Sequence, residues 1–200
     1  YLSKLDTSAA KLNAILSRLL IINQINHSIL TPEKINFEEQ VEEILELERK
    51  KELPERIDIS YSIAPGLNFR SDKEMAKIIL ENLIDNAIKY HNDSKRVDPF
   101  VRIEIGKEGD WVSVKVIDNG IGIDDDSKDK IFQLFVRASE RSDSGGIGLY
   151  LSKLATLKLG GDIYLSKSEE GYTVFRVLFP PDLTPVIERR KEEELRREKQ

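Results

Sequence analysis

Two asparagines, Asn82 and Asn86, lie four residues apart in a segment that is otherwise mostly apolar. This spacing places both amides on one face of a helix, and Lys89 and Tyr90 follow one turn later on the same side. A buried amide without a partner costs about 1–3 kcal/mol, so the pair requires either nearby backbone groups or a polar ligand. Amide oxygens suit Mg²⁺, which shares its coordination shell with phosphates; Lys89 would then bring a charge to a phosphate and Tyr90 a ring to a base. The residues alone leave both possibilities open.

A glycine-rich turn follows a hydrophobic stretch in VIDNGIGID, residues 116–124, where Asp118, Gly120 and Gly122 are spaced two apart. Taken alone, this pattern is typical of an ordinary turn. A second glycine cluster, at 145–148, opens a predicted helix. Free backbone N–H groups and the positive end of the helix dipole suit an anion at such a place.

Helical periodicity and capping signals predict the helices that would position these residues. The first has the apolar stripe of a bundle helix and ends before Pro32. Another begins at the capping box Ser71-x-x-Glu74 and is apolar around most of its circumference, as expected of a helix inside the protein. The predicted helices lie near residues 2–31, 37–52, 72–90, 124 onward and 146–160.

Alternating hydrophobic residues predict strands at 57–63, 101–105, 112–116, 162–167 and 172–179. The second and third are joined across Glu108-Gly109-Asp110, and the last two across Glu169-Glu170-Gly171. This order favours an α+β fold, a two-layer α/β sandwich with a mixed, largely antiparallel sheet and helices on one face. We expect a bundle-type helix over 1–31, one domain over 32–181 and a charged tail over 182–200.

The composition excludes several classes of site and partner. The 31 basic and 36 acidic residues give a net charge of −5, which supplies no general positive field for nucleic acid or an anionic membrane. Without cysteine there are no disulfides or thiolate metal sites, and only two histidines remain for imidazole chemistry. No apolar run approaches the roughly 18 residues of a membrane span. We expect a cytoplasmic chain without nucleic-acid partner or direct membrane contact, which is compatible with a membrane-anchored parent protein.

Four segments resemble the sequence boxes of the GHKL ATPase superfamily, in the form found in sensor histidine kinases. They are similar to the N box at 81–90, the G1 box at 118–123, the F box at 131–138 and the G2 box at 145–149. The four occur in the family's order, and with their framework the resemblance covers roughly residues 33–180. One glycine motif would be weak evidence, whereas four in register are specific. The resemblance implies the Bergerat fold, with ATP and Mg²⁺ as ligands.

The resemblance also implies roles for individual residues. Asp118 would bind the adenine amino group, since a carboxylate accepts a hydrogen bond and donates none, and Gly120 and Gly122 would let the purine approach the backbone. Asn86 would be the Mg²⁺ ligand. The resemblance implies Asn82, Lys89 and Arg137 as catalytic residues, the last two at the phosphates. The ATP-binding set is completed by Tyr90, His91, Ile123, Phe135, Gly145, Gly146, Ile147, Gly148 and Leu149.

By the same resemblance, residues 138–144 form the ATP lid, which packing by Phe132 and Phe135 would anchor. Two positions depart from the family's pattern: Ser144 stands where the G2 box usually has its first glycine, and Val136 where an aromatic residue is common. These departures concern how the lid closes and leave the prediction of nucleotide binding unchanged.

The residue at position 82 separates two branches of the superfamily. Members that hydrolyse ATP, of the gyrase and MutL type, have a glutamate four residues before the Mg²⁺ asparagine, where it activates water. Asn82 cannot act as a general base. The γ-phosphoryl group would therefore be kept for an acceptor, which favours a kinase.

The acceptor in sensor kinases is a histidine on the first helix of a hairpin that dimerises into a four-helix bundle, and residues 1–31 resemble the second helix. The segment from His27 to Pro32 imitates the family's H box, but Ser28 replaces its acid. Residues 33–63 already form the start of the predicted ATP domain, which leaves no room for a returning helix. We therefore expect the acceptor on a helix outside this chain, and a homodimer through these helices.

The predicted function is that of a protein histidine kinase. The chain would position Mg-ATP for γ-phosphoryl transfer to a histidine, for onward transfer to an aspartate of a response regulator. Two alternatives stay open: a nucleotide-binding scaffold without catalysis, and a serine kinase of the anti-sigma type, which shares the N and G boxes.

Overall fold

The computed structural model describes residues 2–51, 56–94, 96–136, 146–169 and 172–198. In chain order the elements are α1 (Leu2–His27), β1 (Glu33–Lys34), α2 (Phe37–Lys50), β2 (Asp58–Ile63), β3 (Arg70–Ser71), α3 (Lys73–Lys89), β4 (Phe100–Glu108), β5 (Trp111–Asp118), α4 (Asp125–Lys128), α5 (Gly148–Lys158), β6 (Asp162–Glu169), β7 (Tyr172–Phe179) and α6 (Thr184–Glu198). No helix in these ranges is long and apolar enough to cross a membrane.

Five strands form one sheet in the order β2-β4-β5-β7-β6. β2 runs parallel to β4, and the other neighbours are antiparallel. The predicted turn between β4 and β5 is a tight hairpin, in which Gly109 has the positive φ of +57° that such a turn requires. The prediction of a mixed, largely antiparallel sheet is confirmed.

Helices cover one face of this sheet. Along β4, Val101, Ile103 and Ile105 are buried while Arg102 and Glu104 are exposed, so alternate residues face the helices and the solvent. α3 and α5 pack side by side on the buried face, and α2 packs on α3. The two-layer prediction is confirmed, and this arrangement brings the polar residues of α3 close to the start of α5.

α3 begins one residue later than the capping box predicted. Asp72, and not Ser71, is the N-cap: its Oδ1 accepts a hydrogen bond from the Met75 N–H at 3.0 Å, while Ser71 belongs to β3. The second carboxylate oxygen of Asp72 accepts the Thr31 N–H at 2.9 Å. A single side chain therefore caps α3 and ties it to the segment after α1.

α1 ends at His27, four residues before the predicted end at Thr31. Its last turn is fixed by Lys158, whose Nζ donates to the carbonyls of Ile25, Asn26 and Ser28. Farther up the helix, Leu12, Leu16 and Leu20 are exposed, as expected of a helix that packs on other helices.

The predicted charged tail begins inside the core. Leu183 is fully buried, and its N–H donates to the Arg70 carbonyl at 2.8 Å. α6 then follows, with no buried residue of its own.

Candidate functional site

Asn82 lies on α3 at the place where this helix meets the start of α5. Its Nδ2 donates to the Ile78 carbonyl one turn earlier at 2.7 Å, which orients the amide and leaves Oδ1 facing α5. A Cβ added at Gly148, the first residue of α5, would stand only 2.9 Å from that oxygen. A side chain at position 148 would therefore require the Asn82 amide to shift.

Asn86 lies one turn farther along α3 and is half-buried. Its backbone carbonyl accepts the Tyr90 N–H at 3.0 Å, whereas its side chain has no hydrogen-bond partner among the described residues. The sequence left open whether these amides bond to nearby backbone or to a ligand, and the structure shows that the two asparagines differ in this respect. Asn82 is satisfied in part by backbone, and the side-chain amide of Asn86 is left without a hydrogen-bond partner among the described residues.

Asp118 ends β5 and is only 5% exposed. Its Oδ1 accepts the Gly120 N–H at 2.9 Å, and the hydroxyl of Thr173, its register partner on β7, donates to the same carboxylate. Burial raises the pKa of Asp118 to about 6, because removal from water penalises the charged form more than the two hydrogen bonds favour it. A buried carboxylate of this kind suits a partner that donates a hydrogen bond.

The turn after Asp118 packs directly on the end of α3. A Cβ added at Gly120 would lie 2.3 Å from the carbonyl oxygen of Tyr90, and that oxygen accepts the Ile121 N–H at 3.0 Å. Gly122 has φ of +76°, which L side chains rarely adopt. The structure therefore joins the predicted N and G1 boxes through backbone contacts that only glycine permits.

The remaining predicted residues near this turn are held by local contacts. Lys89 Nζ lies 5.9 Å from the centre of the Tyr90 ring. The ring of His91 contacts the Ile88 carbonyl at 2.8 Å and an Asp93 carboxylate oxygen at 2.6 Å. At the far end of the turn, the Ile123 N–H donates to the Ser168 hydroxyl at 3.1 Å.

The predicted G2 box begins α5. Gly146 has φ of +70°, and a Cβ there would lie 2.2 Å from the Val136 carbonyl oxygen. Ile147 is fully buried, and Leu149 packs against the core. Arg137, Gly145 and the predicted lid over 138–144 lie outside the described residues.

The two phenylalanines expected to anchor the lid differ. Phe132 packs edge-on against Phe175, with ring centres 6.2 Å apart. Phe135 is 55% exposed, and the lid that it was expected to anchor lies outside the described residues, so that role stays a prediction. The backbone turns at this residue with φ of +65°, and the side chain stands outside the core.

The donor groups present fit a nucleotide with a hard cation. The described residues hold no cluster of three or more histidine, aspartate or glutamate side chains that would bind a metal by themselves. Mg²⁺ suits an incomplete protein site of this kind, because it keeps several waters and takes further oxygens from phosphates. The amide oxygen of Asn86 is one ligand that would fit such a site, and α5 begins at Gly148 on the side of Asn82.

Two residues beside the site were missed by the sequence analysis. Thr173 bonds Asp118, and Arg18 of α1 places Nη1 3.5 Å from Asn82 Oδ1. Thr173 could have been predicted to lie beside Asp118 only from the register of the strands. No local sequence pattern indicated that Arg18 lies near Asn82.

Comparison with known protein families gives one match over the site. The family described as "Histidine kinase-, DNA gyrase B-, and HSP90-like ATPase" matches residues 71–183. This range contains α3, both glycine turns and the strands that carry Asp118 and Thr173.

Individual proteins are similar over a longer part of the chain. The methanogenesis regulatory histidine kinase FilI of Methanothrix harundinacea (strain 6Ac) is 34% identical over 173 residues, covering 85% of this chain and 19% of that relative. Among solved structures, full-length ShkA in complex with AMPPNP aligns with a TM-score of 0.71 at 21% identity, over 90% of this chain and 38% of that one. The nucleotide-free catalytic domain of histidine kinase ThkA aligns with a TM-score of 0.65 at 24% identity, over 77% of this chain and 98% of that domain. These last two likenesses show the fold.

Proposed function

Because this chain belongs to the histidine kinase-, DNA gyrase B- and HSP90-like ATPase family and carries the ATP-binding catalytic domain of a sensor histidine kinase, we propose that it holds Mg-ATP for γ-phosphoryl transfer to a histidine. The acceptor would lie on a partner helix of α1. An aspartate of a response regulator would receive the phosphoryl group next. The chain spans only 19% of FilI, so these activities are proposed for the parent protein.

One observation carries the proposal: Asn82 and Asn86 lie four residues apart on one face of α3, and Asn82 stands directly beside the start of α5. Asn82 Nδ2 is occupied by the Ile78 carbonyl, and an amide has no basic group with which to activate water. The site would therefore bind ATP without hydrolysing it rapidly. This suits a kinase better than an ATP-driven clamp.

Each of the proposed side chains would contact a different part of the nucleotide. Asn86 would hold Mg²⁺, which supplies positive charge to the phosphates when bound. Lys89 and Arg137 would contact phosphate oxygens, with the backbone N–H groups at the start of α5. Asp118 would accept the adenine amino group, with its carboxylate kept in place by Gly120 and Thr173.

The parent protein would be a dimer. α1 exposes Leu12, Leu16 and Leu20, which fit the seam of a helix bundle. We propose that the catalytic domain works in the cytoplasm, where a response regulator can reach it.

Titration of AMPPNP with and without Mg²⁺ tests the nucleotide site. We expect tight, Mg²⁺-dependent binding by the wild type, loss of the Mg²⁺ dependence in Asn86→Ala, and loss of the preference for adenine over guanine nucleotides in Asp118→Ala. Asn36→Ala, which removes an exposed helix cap on α2, is the matched control and should bind as the wild type does. Equal binding by all four proteins would contradict the proposed site.

Radiolabelled ATP tests the transfer in the parent protein. An acid-labile label on histidine is expected. An acid-stable label would favour the serine kinase, and tight binding without any label would leave a nucleotide-binding scaffold.

A further inference from the structure

We propose that Arg18 of α1 completes the phosphate end of the nucleotide site by binding the terminal phosphate of ATP. The inference rests on the proposed function, because it requires a nucleotide at the start of α5. It goes beyond the family relationship, since the family match begins at residue 71 and does not contain α1.

The guanidinium group lies between the two elements that would hold the phosphates. Arg18 Nη1 is 3.5 Å from Asn82 Oδ1 and 3.5 Å from the position that a Cβ would take at Gly148. It therefore stands beside the N-terminus of α5, where the helix dipole favours negative charge. A phosphate held there would meet the guanidinium group at hydrogen-bond distance.

Arg18 has hydrogen-bonding capacity to spare. A guanidinium group carries five N–H donors, and the only hydrogen bond found for it within the described part of the chain is the long one to Asn82. The side chain is half-buried, so its charge is partly removed from water. An anion with several oxygens would satisfy the free donors in the bidentate geometry that arginine favours.

The acids nearby already have other partners. Arg18 and Asn82 line a cavity of ≈ 540 Å³ together with Glu48, Glu81 and Asp85. Lys51 pairs with Glu48 at 2.5 Å and with Asp85 at 3.0 Å. Lys77 lies 3.9 Å from Glu81 and pairs more closely with Glu43, at 2.5 Å. Arg18 forms no ion pair with a carboxylate in the described ranges, so a direct carboxylate contact does not compete there with a phosphate for its guanidinium group.

The position of Arg18 is set by the packing of α1 on α5. The two helices lie side by side in the same direction, with Arg18 near Gly148 and the last turn of α1 near Lys158. Ile25 is fully buried, and Lys158 donates to three carbonyls at the end of α1. A change in the packing of α1 would move Arg18 and so alter the affinity for the terminal phosphate.

Comparison of two nucleotides that differ by one phosphate tests the inference. We would measure the Kd of AMPPNP and of ADP, each with Mg²⁺, for the wild type, Arg18→Ala and Arg18→Lys. Loss of a charge-assisted contact should weaken AMPPNP binding by Arg18→Ala roughly tenfold or more and leave ADP binding unchanged. Arg18→Lys should lie between the wild type and Arg18→Ala for AMPPNP.

Arg102→Ala is the matched control, since Arg102 stacks on Phe100 on the exposed face of the sheet and should leave both affinities unchanged. If Arg18→Ala weakens the binding of ADP and AMPPNP equally, or weakens neither, the role of Arg18 is overturned. The proposed function would still stand in that case, provided that the wild type binds ADP. Failure of the wild type to bind either nucleotide would overturn the proposed function, and the role of Arg18 with it.

Discussion

Thr173 lies directly opposite Asp118 on the neighbouring antiparallel strand, and its hydroxyl donates a hydrogen bond to the buried carboxylate. The Gly120 N–H donates a second hydrogen bond at 2.9 Å. Both bonds favour the ionised form, yet burial prevails and the pKa rises to about 6. The carboxylate predicted to recognise adenine is therefore held in the fold at a cost in stability near neutral pH.

Substitution Asp118→Asn should stabilise the fold at neutral pH. The raised pKa means that the folded state binds the proton more tightly than the unfolded state, so this group's contribution is full below about pH 4 and is lost as pH rises through 6. Asparagine does not ionise. The free energy of unfolding of Asp118→Asn minus that of the wild type should therefore rise by about 2 kcal/mol between pH 4 and pH 7.

Urea unfolding at a series of pH values measures this difference. Asp110→Asn, an exposed aspartate in the β4–β5 turn, controls for the loss of one negative charge. A difference between Asp118→Asn and the wild type that does not change with pH would show that burial is not what shifts this carboxyl group.

Substitution Gly120→Ala should destabilise the fold by roughly 1–3 kcal/mol. The added Cβ would stand 2.3 Å from the Tyr90 carbonyl oxygen, so either the turn or the end of α3 must move. Gly106→Ala is the matched control, because the nearest atom to its Cβ would be that of Ala64 at 3.7 Å. Equal urea midpoints for the two variants would argue against the close approach at Gly120.

Substitution Asp72→Ala should destabilise the fold more than Asn36→Ala. Asp72 caps α3 and also accepts the Thr31 N–H, whereas Asn36 only caps α2 through exposed bonds of 3.2 and 3.4 Å. A cap contributes about 1 kcal/mol, and the unpaired Thr31 N–H adds to the loss at position 72. Thermal or urea unfolding compares the two, and a smaller effect at position 72 would refute the double role.

Substitution Lys158→Met should loosen the end of α1. The ammonium group is removed from three carbonyl oxygens, which costs about 1–3 kcal/mol. Amide hydrogen exchange in the last turn of α1 should accelerate, while exchange in α3 stays slow. Lys153→Met, which breaks an ion pair with the largely exposed Asp162, should leave α1 unchanged; faster exchange of α1 in that variant would refute the local role of Lys158.

Local patterns were sufficient to predict most of the elements. The all-round apolar character of α3 and the alternation along β4 and β5 correspond to buried elements, because both depend only on residues close in sequence. The turn at Gly109 was predicted for the same reason, since a positive φ is a property of a single residue. The order of the four boxes indicated the family before any contact was known.

Contacts between distant segments could not be predicted in this way. The cap of α3 moved from Ser71 to Asp72 because β3 pairs with β1 and so takes Ser71 into a strand. The exposure of Phe135, with its backbone at a φ of +65°, likewise could not be predicted from its residue type.

The sequence by itself determined the residue types from which a nucleotide site is predicted, since spacing along one helix or turn defines an amide pair, a carboxylate and glycines without Cβ atoms. Only the tertiary structure decided what stands beside them. Thr173 reaches Asp118 through strand register, and Arg18 reaches Asn82 across 64 residues through the packing of α1 on α5. Such contacts depend on how separate elements fill a shared core, and no periodicity within either element encodes them.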